Sequence, residues 1–163
     1  MKKDIKTLIL MVGPPASGKS TFAEEISDEY LIPLVSSDSV REELYGDESI
    51  QDNPEKVFEQ VYKEVNRWIK CGVCILDATN YTRWSRWAAV AKTNCNQVVY
   101  IIMDNDIEQV KAWNAARERK VPEKVIDRMF KNLRKEPPLH NECWNLHIFK
   151  HTDEGLRDFL KKL

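Results

Sequence analysis

Long apolar runs are missing from these 163 residues. No stretch approaches the about 18 apolar residues that a membrane-spanning helix needs, which excludes a helical span. Charge of one sign is missing as well. The 25 Lys and Arg are balanced by 26 Asp and Glu, for a formal net charge of −1. No global field draws such a chain onto nucleic acid or an acidic membrane, so any contact with those partners has to be local. There is no second Cys-x-x-Cys beside "CGVC" at 71–74, so the usual four-thiolate zinc site is excluded. The pair leads into the apolar run "VCILD" instead of opening a helix after a strand, as a redox pair would, and Cys74 is expected in the core. His140, His147 and His151 lie near Cys143 in sequence and are expected as surface or structural residues, not as metal ligands. Internal repeats, low-complexity tracts and interdomain linkers are absent too, which at this length points to one domain over 1–163 with a real core. Lys2, Lys3 and Lys6 precede an apolar run, as in a leader. That run is short and enters a glycine loop where a cleavage site would be needed, so a cytoplasmic protein is expected.

What is present is ordinary in bulk and specific in pattern. The chain is 42% hydrophobic and 31% charged, as soluble globular proteins are. Four continuous apolar runs read as buried parallel strands: 7–12, 33–36, 73–77 and 98–103, with a weaker fifth at 146–149. Helical patterns lie between them. Phe22 and Ile26 share a face after the first run. Val57, Phe58, Val61, Tyr62, Val65, Trp68 and Ile69 follow the 3.6-residue period, with Gly72 as a stop. Trp84, Trp87, Ala88 and Ala91 suit another helix, and 107–117 a further one. Pro122 suits the first turn of a helix with Val125, Ile126, Met129, Phe130 and Leu133 on one side, and "EPP" at 136–138 ends it. Strand–helix alternation throughout predicts an α/β fold, a doubly wound parallel sheet of about five strands with helices on both faces.

Glycine is scarce, five residues in all, yet two of them stand in "GPPASGKST" at 13–21. Gly13-x-x-x-x-Gly18-Lys19-Ser20 is the Walker A pattern, directly after a strand and opening a helix. Glycines let the backbone wrap a phosphate, and successive N–H groups with the following helix start form an anion nest. Gly13, Ala16, Ser17, Gly18, Lys19, Ser20 and Thr21 are the expected nucleotide cradle. Lys19 supplies charge to the β- and γ-phosphates and Ser20 a hydroxyl to Mg²⁺.

Three further stretches fall where strand ends face a ligand crevice. In "VSSDSVREELYGD", Asp38 opens a helix and Arg41 stands one turn on. A carboxylate near a γ-phosphate can accept the proton of an attacking hydroxyl, and an arginine beside it can grip a phosphate on the acceptor. A capping aspartate beside a solvated arginine would give the same pattern. In "LDATN", Asp77 is a candidate second contact to Mg²⁺, although Asp and Asn also favour turns. From Arg117 to Lys135 eight basic residues stand against three acidic ones. Arg117 and then Arg119 are the candidates to meet donor phosphates there, with Arg128 undecided.

"GPPASGKST", "SSDSVREELYGD", "LDATN" and "AARERKVPEKVIDRM", in this order, resemble the 5′-kinase module of polynucleotide kinases, over about residues 7–135. The resemblance implies a P-loop kinase-type fold with a short helical lid near 114–136. It implies transfer of the γ-phosphoryl of ATP, or GTP, with Mg²⁺, to the 5′-hydroxyl of an RNA or DNA end. Lys19 and Ser20 would bind donor phosphates and Mg²⁺, and Asp38 would be the general base. Arg41 would hold the phosphate on the 3′ side of the terminal nucleotide, and Arg117 would be the lid arginine. Related lids often carry another arginine four residues before the one matched by Arg117; here Trp113 stands there, so the lid is expected to be either weaker or completed by Arg119. Many relatives carry a fused phosphatase or ligase domain. This length leaves no room for one, so such partners are expected as separate proteins. Small-molecule kinases for gluconate, adenylylsulfate or antibiotics share the loop and strand order and form the alternative. A nucleotide-binding switch without transfer activity would leave Asp38, Arg41 and Arg117 without a purpose. "NECWNLHIFKH" at 141–151 fits either a nucleobase pocket or a sheet edge.

Overall fold

The computed structural model describes residues 4–163; Lys2 and Lys3, weighed above as part of a leader, lie outside them. Five strands make one parallel sheet: β1 Thr7–Val12, β2 Leu34–Ser36, β3 Val73–Asp77, β4 Gln97–Ile102 and β5 Leu146–Lys150. Their order across the sheet is β2-β3-β1-β4-β5. The chain lays β2 and β3 to one side of β1, then crosses to the other side for β4 and β5. The Walker loop leaves the C-terminal end of β1, where the crossovers diverge and open sheets of this kind form their ligand crevice.

Seven helices connect and cover the strands: α1 Lys19–Tyr30, α2 Ser37–Tyr45, α3 Pro54–Trp68, α4 Arg83–Lys92, α5 Ile107–Ala116, α6 Glu123–Lys135 and α7 Glu154–Leu160. Both faces of β1 are buried, so its run is continuously apolar where a half-exposed strand would alternate. Leu8, Leu10 and Val12 pack with Val57, Val61 and Val65 of α3, Val40 of α2 and Ala89 of α4. Ile9 and Met11 pack on the opposite face with Ala23 and Ile26 of α1 and Leu156 and Leu160 of α7. Each fully buried side chain of this size contributes roughly 1.5–3 kcal/mol.

The expected strands and helices form, with shifts that have local causes. β2 begins at Leu34, because Pro33 has no N–H and joins the ladder only through its carbonyl, which accepts from Ile75 N at 2.8 Å. β4 runs 97–102 instead of 98–103, although Met103 N still donates to Val12 O at 2.9 Å. β5 extends to Lys150. Pro122 is the residue before α6, with ψ 131°, and not part of its first turn. α5 ends at Ala116, leaving Arg117 as its extended C-cap with ψ 151°. In α4 the tryptophans do not face inward. Trp84 and Trp87 are exposed, and Arg86 and Ala89 are the residues the helix buries. The seven-residue α7 had no expectation. Cys74 is buried in the core, which pushes its thiol up to about 12, while Cys71 is exposed. Among the described residues, no helix is long and apolar enough to cross a membrane.

Candidate active site

The loop after β1 has the shape an anion requires. Ala16 and Gly18 adopt left-handed backbone, φ 62° and 86°, which turns successive N–H groups toward one concavity. Gly13 N donates to Thr79 O at 3.0 Å, tying the loop to the end of β3. A Cβ on Gly13 would sit 2.9 Å from Ser17 Oγ and 3.1 Å from Met103 Cβ, so no side chain fits. Ser17 Oγ is buried without a hydrogen-bond partner among the described residues. Lys19 is buried, its Nζ donating to Pro14 O at 2.9 Å. Burial pushes the Lys19 amine below the ordinary lysine value. The nearby Asp77 and Asp38 charges pull it back up, and Arg117 pushes it further down. A buried lysine, an unpartnered buried hydroxyl and a loop with no room for a side chain together fit a phosphate. Ser20 Oγ donates to Asp77 Oδ2 at 2.7 Å, which puts both expected Mg²⁺-side oxygens at one point.

β2 and α2 supply the facing wall. Ser36, not Asp38, caps α2, its Oγ lying 3.5 Å from Ser39 N. The Asp38 carboxylate is therefore not the cap. It accepts from Arg41 Nη1 at 2.9 Å, and Arg119 Nη1 lies 3.8 Å from its other oxygen. Arg119 itself pairs with Glu48 at 2.6 Å. It stands beside Asp38 and shares one cavity with Ala16, Lys19 and Ser20, but does not line the cavity that holds Ser17, Gly18 and Thr21.

Two cavities meet at the loop. One, about 540 Å³, is lined by Ala16 to Phe22 with Asn105, Trp113, Arg117 and His151. It gathers the expected donor-side residues Ala16, Ser17, Gly18, Lys19, Ser20, Thr21 and Arg117. The other, about 770 Å³, holds Asp38, Arg41, Asp77, Arg119, Lys120 and Arg128. Ala16, Lys19, Ser20 and Arg117 line both. Arg128, undecided from sequence, thus joins the second cavity's wall. So does Lys120, which no motif marks. The stretch 141–151 does two things: Leu146–Lys150 is the edge strand on β4, and His151 lines the first cavity.

Two buried polar residues position this site without any motif to announce them. Asn114 of α5 donates through Nδ2 to Val121 O at 2.7 Å and accepts from Val121 N at 2.9 Å. That two-way clasp closes the base of the loop that presents Arg117, Arg119 and Lys120. Arg86 is fully buried and makes a forked pair with Glu142, 2.8 and 2.7 Å. It also donates to Asn80 O at 3.1 Å and Glu136 O at 2.8 Å. Asn80, left-handed at φ 46°, donates to Met11 O at 2.8 Å. The chain of contacts joins the end of α6, the turn after Asp77 and the end of β1.

No curated protein matches the chain. Among solved structures, it aligns with a chain of the Pnkp1/Rnl/Hen1 RNA repair complex at TM-score 0.72 and 24% identity, over 80% of this chain and 45% of that one. A second structure of a Pnkp1/Rnl/Hen1 complex aligns at TM-score 0.61 and 26% identity, over 72% and 40%. The chain thus spans less than half the length of these two. A sugar kinase from Janibacter sp. HTCC2649 aligns at TM-score 0.64 and 16% identity, over 97% of this chain and 91% of that one. The fold is that of P-loop kinases. A family model described as "AAA domain" (AAA_33) matches residues 8–137, most of the sheet together with the Walker loop, α2 and the arginine loop, and the chain belongs to that family.

Proposed function

We propose that the protein is a polynucleotide 5′-hydroxyl kinase, moving the γ-phosphoryl of ATP to the 5′-hydroxyl of an RNA or DNA end. The observation that carries this reading is the meeting of two cavities at Lys19, Ser20 and Arg117, with a carboxylate in the second cavity only a hydrogen bond from an arginine. The donor lies over the loop and the acceptor against α2. The acceptor hydroxyl gives its proton to Asp38 as its oxygen bonds to the γ-phosphorus, the bond from that phosphorus to the bridging oxygen breaks, and ADP leaves. Lys19 and Arg117 stabilise the charge spread over the transferring group. Ser20 and Asp77 are the oxygens available to Mg²⁺, which when bound neutralises donor phosphate charge.

Arg41, whose recorded bonds run from Nη1, keeps N–H groups for a phosphate on the acceptor. Five more cations besides Arg41 line that cavity, namely Lys19, Arg117, Arg119, Lys120 and Arg128, against the carboxylates of Asp38 and Asp77. This local excess on a chain of net charge −1 suits a phosphorylated acceptor. The 26% identity to a chain of the Pnkp1/Rnl/Hen1 complex supports the same reading. A small-molecule acceptor is the second reading, favoured by the end-to-end alignment with a sugar kinase.

The two readings separate on acceptors. A nucleoside 3′-monophosphate and a 5′-hydroxyl oligonucleotide should both take label from γ-labelled ATP, and an unphosphorylated nucleoside should take far less. Arg41→Ala should reduce kcat/KM on the phosphorylated acceptors by about a hundredfold, the effect of losing a charged contact worth about 3 kcal/mol, and barely change the nucleoside. Transfer to a sugar with none to oligonucleotides would establish the small-molecule reading instead.

A further inference from the structure

We propose that Trp113 is the stacking surface for the donor nucleobase. The inference rests on the reading of the loop cavity as the donor site, not on the identity of the acceptor. Trp113 is 42% exposed on α5 yet lines the loop cavity, so its ring is a wall of that cavity and not core packing. It stands in the last turn of α5, four residues before the C-cap Arg117, and both side chains line the loop cavity. Arg117 reaches both cavities and so marks the phosphate end of the donor. Trp113 lines only the loop cavity, away from the acceptor, where the base of a nucleotide must lie once its phosphates occupy the loop.

Phe22 and His151 line the same cavity, packed edge to face at 5.8 Å. That wall is held in place. Arg157 lies over Phe22 at 5.5 Å and pairs with Glu25 and Glu29, and His151 Nδ1 accepts from Asp104 N at 3.0 Å. Asn105, the lining amide, already donates to Ser17 O at 2.9 Å. That Nδ2 is engaged and Glu25, also on the lining, is paired with Arg157, so the cavity offers a base aromatic surface beside the Asn105 Oδ1, and the tryptophan is the largest such surface on it. Base–aromatic contacts of this kind are sequence-tolerant and strong enough to measure by truncation.

The experiment is calorimetric titration of wild type, W113F and W113A with Mg-ADP and, separately, with Mg-pyrophosphate, with tryptophan emission followed during the ADP titrations. W113A should weaken ADP about tenfold while leaving pyrophosphate within about twofold. W113F should stay within about threefold of wild type for ADP. The ADP-induced change in tryptophan emission should disappear in W113F, although four other tryptophans remain. Equal losses for ADP and pyrophosphate would overturn the proposal, because they would mean that Trp113 shapes the loop. An unchanged ADP affinity in W113A would also overturn it. Wild type that binds neither ligand would overturn both this inference and the donor-site reading. ADP binding that depends on Trp113 in a protein that phosphorylates no oligonucleotide would leave this inference standing and remove the polynucleotide reading.

Discussion

Gly13 illustrates how narrow the requirements at single residues are. Its neighbours leave no volume for one methyl group: Ser17 Oγ would be 2.9 Å from a Cβ, and Met103 Cβ, on the far side, is anchored by a backbone bond to β1. Gly13→Ala should therefore displace the loop from β1, weaken ADP by about tenfold or more and cost about 1–3 kcal/mol of stability. Calorimetry on the variant checks it. Lys19 carries the opposite tension, since burial opposes its charge and two carboxylates restore it only in part. A bound phosphate completes that balance, which ties nucleotide binding to this side chain. Cys74 behaves as a core methyl would. With its folded thiol pushed up to about 12, above its unfolded value near 9, its contribution to stability is full below pH 9 and is lost as pH rises toward 12. At pH 8, iodoacetamide should label exposed Cys71 and spare Cys74 until the protein is unfolded, as peptide mapping would show.

Among the elements, α4 is the most consequential. Its place as a helix shows in the spacing of Trp84, Trp87, Ala88 and Ala91, yet it buries an arginine, because Glu142, from 56 residues along the chain, meets that guanidinium in a fork. Both partners are essentially fully buried, 0% and 1% exposed. Arg86→Met should cost about 3 kcal/mol by leaving the Glu142 carboxylate with only Leu139 N at 3.3 Å and Arg83 at 3.9 Å, and the double variant with Glu142→Leu should regain most of it. Denaturant midpoints of the three proteins decide this; a double variant as unstable as the single one would contradict it. The same pair shows where sequence is legible and where it is not. β1, β3 and β4 are buried on both faces, so their apolar runs announce them, and α3 carries an unbroken 3.6-residue period. The Walker residues are legible because their chemistry is local, set by spacing within nine residues. Arg86 and Glu142 are not, because the burial of each depends on a partner 56 residues away, and Asn114 is not, because Val121, seven residues on, meets it only once the loop has folded back. Lys120 and His151 join the cavities only through the tertiary placement of a loop and a strand end. The seven residues of α7 are too few to show a period.

At the scale of the whole molecule, the parallel sheet places two cavities side by side that share the Walker residues Ala16, Lys19 and Ser20 and, from the loop after α5, Arg117. Its order puts the ends of β1, β2 and β3 on one crevice, so Lys19 and Ser20, Ser37 and Asp38, and Asp77 converge although they are spread over more than a third of the chain. Net charge is close to zero, so attraction to an anionic acceptor comes from the local cluster around Arg41, Arg119 and Arg128 and should fade with added salt. The central claim is that Asp38 takes a proton from an acceptor in one cavity while ATP lies in the other. The direct test is transfer from γ-labelled ATP with Mg²⁺ to a short 5′-hydroxyl oligonucleotide, as RNA and as DNA, by wild type and by Asp38→Asn, with ADP affinity measured on both. Label should appear on the oligonucleotide and fall by about a hundredfold or more in the variant, with ADP affinity unchanged within about twofold. Undiminished transfer by Asp38→Asn, or loss of ADP binding in step with loss of transfer, would contradict it.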